Sequence, residues 1–85
     1  MSRIEKLKAR LKLKPKDFTY GELLTLLQSF GYSEWKGGKT SGSRRAFIHS
    51  TTKHVIHLHK PHPGNELRLY QIQEIIEELT KSGYL

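Results

Sequence analysis

All five histidines of this 85-residue chain fall between positions 49 and 62: His49, His54, His57, His59 and His62. Histidine is the side chain best matched to proton transfer near neutral pH. Cleaving a phosphodiester without a metal needs a base for the attacking hydroxyl, an acid for the leaving oxygen and a cation for the phosphate. His57 and His59, at i and i+2, share a face of any strand that holds them, so they are the candidate catalytic pair. Lys39, Ser43, Arg44, Arg45 and Lys60 surround them in sequence and are the candidate phosphate-binding groups, arginine through its bidentate fork. The competing reading is that exposed histidines bond only to water and to their neighbours. His54 points with the core, and His62 either acts or caps the last helix.

A zinc site would use His57-Leu58-His59 as a same-face pair. The chain has no cysteine, and the twelve residues upstream of His57 hold no carboxylate. No metal and no cofactor is therefore expected. Gly37-Gly38-Lys39-Thr40 resembles the end of a P-loop but lacks the earlier glycine and the helix that follows such a loop. It reads as a loop offering Lys39, Thr40 and Ser43 to an RNA backbone.

The net charge of +7 is concentrated in two zones. Residues 1–16 carry seven basic side chains against Glu5, and residues 36–68 carry seven against Glu66, so each zone is +6. Residues 17–35 and 69–85 are net acidic, at −3 and −2. Such a directed field suits a polyanion, because each phosphate contact releases counterions. No apolar run approaches the ~20 residues needed to cross a bilayer, and lysines and arginines break up the N-terminal leucines. No membrane partner is expected, and the expected location is the cytoplasm.

Eighty-five residues bury only about 60–65% of the surface their unfolded chain exposes, so the positioning elements must pack closely. Ile4, Leu7 and Leu11 mark an amphipathic helix over 2–13, stopped before Pro15. Thr19-Tyr20-Gly21-Glu22 fits a capping box opening a helix over 20–30, with Gly31 as its left-handed end. Strands follow at 32–36, 44–49 and 54–59, and a last helix at 69–81 buries Ile72, Ile75, Ile76 and Leu79. Tyr32 and Trp35 are expected in the core. Ile56 and Leu58 face the helices, leaving Val55, His57 and His59 outward. On the second strand, placing Ala46 and Ile48 inward leaves Arg45, Phe47 and His49 outward; the opposite choice would bury Phe47 instead of Ile48.

The fold class is α+β, a three-stranded antiparallel sheet with helices on one face. Its α-β-β-β-α order, preceded by an extra basic helix at 1–16, resembles the double-stranded-RNA-binding domain. Gly42-Ser43-Arg44-Arg45-Ala46-Phe47, then Lys60-Pro61-His62, then Gly64-Asn65-Glu66-Leu67 before the last helix, are similar to the HicA toxins of toxin–antitoxin systems. The likeness covers roughly 17–83, within a domain drawn at 17–85. It implies an endoribonuclease, an mRNA interferase acting on mRNA and restrained by a HicB-like antitoxin. The family motif reads Gly-Ser/Thr-His, and its catalytic histidine is replaced here by Arg44. An arginine cannot accept a proton at neutral pH, so the resemblance leaves catalysis open. The alternatives are a non-catalytic RNA-binding module and a protein-interaction domain for an acidic partner.

Overall fold

The computed structural model describes residues 2–35, 44–61 and 64–85. Three helices, α1 (Arg3–Lys12), α2 (Tyr20–Ser29) and α3 (Leu69–Lys81), pack against a sheet of β1 (Tyr32–Trp35), β2 (Arg44–His49) and β3 (Val55–His59). The strands pair antiparallel in chain order, β1-β2-β3, so the sheet is a meander. The expected α+β architecture is the observed one.

Each helix boundary has a local cause. The Ser2 hydroxyl accepts from the Glu5 N–H at 3.2 Å and opens α1. Its end places Lys14 at φ 53°, a left-handed conformation that a side chain adopts at some cost, ahead of Pro15. At α2 the capping box is complete: Glu22 N–H donates to the Thr19 hydroxyl at 3.1 Å, and Thr19 N–H donates to the Glu22 carboxylate at 3.0 Å. Gly31 follows α2 at φ 102°. A Cβ there would lie 3.0 Å from His49 Nε2, so glycine is required by conformation and by space.

The helix-facing side is closed by Leu23, Leu26, Leu27, Phe47, Ile72 and Leu79, all fully buried. Leu7 and Leu11 of α1 enter the same core, and Arg10 anchors that helix by ion pairs of 2.6 Å to both Asp17 and Glu22. The segments leading into α2 and α3 are stitched together by Tyr20 N–H to Asn65 C=O at 2.7 Å and Leu67 N–H to Phe18 C=O at 2.8 Å.

Two expectations are corrected. Cross-strand partners share a face, and Phe47 pairs with Glu34 on one side and Ile56 on the other. Phe47 is 0% exposed and His49 is buried, so Arg45, Phe47 and His49 face the helices rather than solvent. Arg44, Ala46 and Ile48 take the open face. Burying the Phe47 ring removes more apolar surface from water than burying Ile48 would, and this decides the strand's parity. Trp35 is likewise not in the core. It pairs with Ala46 on the open face and is 56% exposed, whereas Tyr32 is buried.

Gly31→Ala should destabilise the protein by about 2 kcal/mol, measured as a lower urea midpoint with unchanged slope. A second expectation concerns acid. Burial alone would raise the Glu22 carboxyl, but its bonds to the Thr19 backbone and hydroxyl and to Arg10 outweigh it and hold the group below its ordinary value. A carboxyl depressed on folding stabilises the protein above its unfolded pKa, and this is lost as pH falls through the folded one. Glu22→Gln should therefore flatten the acid side of the stability curve, read from melting temperatures at pH 7 down to pH 3.

Candidate nucleic-acid interface

The parity set by Phe47 sorts the histidines into two classes. His49 is a buried structural group. Its Nδ1 accepts the Thr51 and Thr52 N–H groups, each at 3.1 Å, so the ring proton sits on Nε2, which donates to the Phe30 carbonyl at 2.8 Å. Tyr84 places its hydroxyl 2.6 Å from the same Nε2. His54 is also committed. Tyr32 donates to its Nδ1 at 2.7 Å, and its Nε2 donates to Glu78 at 2.8 Å. Burial pushes the Tyr32 phenol above its ordinary value, with Tyr84 and Glu78 adding to the effect, so it serves as a donor.

His57 and His59 remain, both exposed on the open face of β3. Two positions apart on one strand, they stand about 7 Å from each other, enough for a phosphate to lie between them. Arg44 is the direct cross-strand partner of His59, and Ala46 of His57. Facing pairs of this kind have Cβ atoms about 5 Å apart. The Gln71 side chain, buried beneath the sheet, donates its Nε2 to the His59 carbonyl at 2.9 Å and accepts from the Arg68 N–H at 3.0 Å. It thus fixes the end of β3 to the start of α3 and holds His59 in place.

The basic candidates divide in the same way. Arg44 lies beside the histidines. Arg45 turns under the sheet, where it bonds to the Arg44 carbonyl at 2.8 Å and faces Glu34 at 3.9 Å, both side chains about 15% exposed. Tyr20 donates its hydroxyl to the same Glu34, and burial together with that carboxylate pushes the phenol well above its usual value. Lys60 extends over the Tyr20 ring at 5.5 Å from its centroid. Arg45 and Lys60 therefore belong to a cluster at the N-terminus of α2. Lys39, Ser43 and His62 lie outside the described residues. No group of three or more His, Asp or Glu side chains placed to hold a metal occurs among the described residues.

Sequence reasoning missed Trp35, which borders the same cavity as Arg44, Ala46, His57 and His59. The signal was present. Tyr32 and Trp35 are three apart, an odd spacing that puts them on opposite faces of a strand.

The family model described as the HicA toxin of bacterial toxin–antitoxin systems matches residues 20–80. The chain belongs to the HicA toxin family. The match begins at α2, so α1 lies outside it although its leucines share the core. No curated protein and no solved structure matches the chain. Membership makes this chain a toxin of a toxin–antitoxin pair and implies an antitoxin partner. None of the described helices is long and apolar enough to cross a membrane.

Arg44→Ala should leave stability within about 0.5 kcal/mol of the parent, because its side chain is exposed. Arg45→Ala should cost about 1–2 kcal/mol, since it takes a cation away from the half-buried Glu34 and removes a long stem from the helix-facing side. Thermal melts of the two variants side by side check both values.

Proposed function

We propose that the protein is a metal-independent endoribonuclease, an mRNA interferase acting in the cytoplasm and silenced by a HicB-like antitoxin. The observation that carries this reading is the convergence of Arg44, His57 and His59 on one exposed sheet face. Arg44 occupies the position of the family's catalytic histidine, and its cross-strand partner is His59. A cation where the family has a base, faced by a histidine from the neighbouring strand, keeps a phosphate-binding group and a proton-transfer group side by side.

The chemistry follows from what each group can do. One of the two histidines removes the proton from a ribose 2′-hydroxyl, and that oxygen attacks the adjacent phosphorus. The bond from phosphorus to the 5′-oxygen breaks, and the other histidine protonates the departing oxygen. A 2′,3′-cyclic phosphate and a 5′-hydroxyl result, with no net change in protons. Arg44 holds the phosphate and balances the charge that builds on its oxygens. A second reading, RNA binding without cleavage, is favoured by Arg44 itself, which cannot serve as a base.

Purified protein incubated with a mixed RNA pool in EDTA should cleave it, with a bell-shaped dependence of rate on pH. His57→Ala and His59→Ala should each lower the rate by about 10²–10⁴-fold. Intact RNA under wild-type protein establishes the non-catalytic reading, and cleavage slowed less than tenfold by both variants removes His57 and His59 from the chemistry. Affinity for single-stranded RNA should fall with salt at a log–log slope of about −3 to −4, as expected for four to six phosphate contacts. A flat salt titration by filter binding overturns the nucleic-acid reading.

A further inference from the structure

The open face has a second feature, which shares His57 with the proposed chemistry and adds Trp35 and Ala46 to it. Trp35, Ala46 and His57 form one row across all three strands, since Trp35 pairs with Ala46 and Ala46 with His57. The middle position holds the smallest side chain of the row, only 4% exposed, while Trp35 on one side is 56% exposed. Strands lie about 4.8 Å apart, so the indole and the imidazole rise roughly 10 Å apart on either side of a methyl group. A third flat ring standing between them would lie about 5 Å from each, within the range of offset aromatic stacking. The cavity here has a volume of ≈ 430 Å³ and reaches Arg44 and His59. Its lining also includes Glu74 of α3, whose charge repels phosphate.

We propose that this row is a nucleobase slot, in which an unpaired base of single-stranded RNA stacks on Trp35 above Ala46 while its neighbouring phosphate meets Arg44. The proposal rests on the RNA-directed reading above and specifies the form of the RNA. A base inside a duplex already has both faces stacked and cannot enter, whereas a single strand offers its faces freely. The charge complements the occupant, with Arg44 beside the slot. The slot therefore selects unpaired segments of a message before any bond is broken.

Trp35 is the single tryptophan of the chain, so its emission reports on the slot directly. The experiment uses 2′-O-methyl oligoribonucleotides, which lack the attacking hydroxyl and stay intact whether or not the protein is a nuclease. Native protein is titrated with a single strand, with the same strand annealed to its complement, and with a strand of abasic residues. The single strand should quench the emission, and the duplex and the abasic strand should leave it unchanged even where they bind through charge. Trp35→Ala should weaken single-strand binding by about 5- to 150-fold, the factor corresponding to about 1–3 kcal/mol of base stacking. Ala46→Leu, which fills the slot, should weaken it similarly while sparing the duplex. Equal quenching by duplex, or parental affinity in Trp35→Ala, overturns the slot. Cleavage of natural RNA with unchanged emission overturns the slot and leaves the nuclease standing. Quenching without cleavage supports the slot and overturns the nuclease, and no binding of any oligonucleotide at low salt overturns both.

Discussion

The burial of Phe47 is the constraint on which the arrangement of the sheet depends. A ring with no exposed surface, paired across the strands with Glu34 and Ile56, allows one parity for β2 and, through the register, for both neighbours. Shifting any strand by one residue would move every side chain to the other face. The surface bearing Arg44, His57, His59 and Trp35 is therefore specified from beneath, by an apolar contact that none of those four residues makes. Tyr20 reinforces this from α2, its ring 6.0 Å from Phe47 and its hydroxyl on Glu34.

The two faces divide the polar residues by task. Beneath the sheet, His49 organises the β2–β3 turn, His54 bridges Tyr32 to α3, and Arg45 neutralises Glu34. These groups have their donors and acceptors matched inside the protein, as buried polar atoms require. Above the sheet, His57 and His59 lie where a ligand can reach them. Residues of the same type, a few positions apart, thus differ in role because a strand alternates its sides.

Much of this was legible from the residues. The capping box at Thr19 and Glu22, the glycine stop at Gly31 and the apolar spacing of α3 depend on neighbours in the chain, and all three appear where expected. The outward direction of His57 and His59 was legible because Ile56 and Leu58 alternate cleanly with them. β2 was harder. Arg45-Ala46-Phe47-Ile48 offers an apolar residue to both faces, so local pattern does not choose between them, and the choice rests on packing against α2 and α3. For Arg45 and Lys60 a lone sequence shows the charge and not the neighbours, Glu34 and the Tyr20 ring, against which the fold sets them. Gln71 carried no signal, since its value comes from a carbonyl twelve residues away.

The meander has a consequence for how quickly the protein acquires its shape. Each strand pairs with its neighbour in the chain, so the entropy lost in closing each hairpin is small. Native contacts of short sequence separation favour rapid folding. The distant contacts, the Thr19–Glu66 bridge and the packing of α1 against α3, join ends of the chain that the sheet must first bring near. The loop-closure cost of this fold therefore falls mainly on the helical clasp and only lightly on the hairpins.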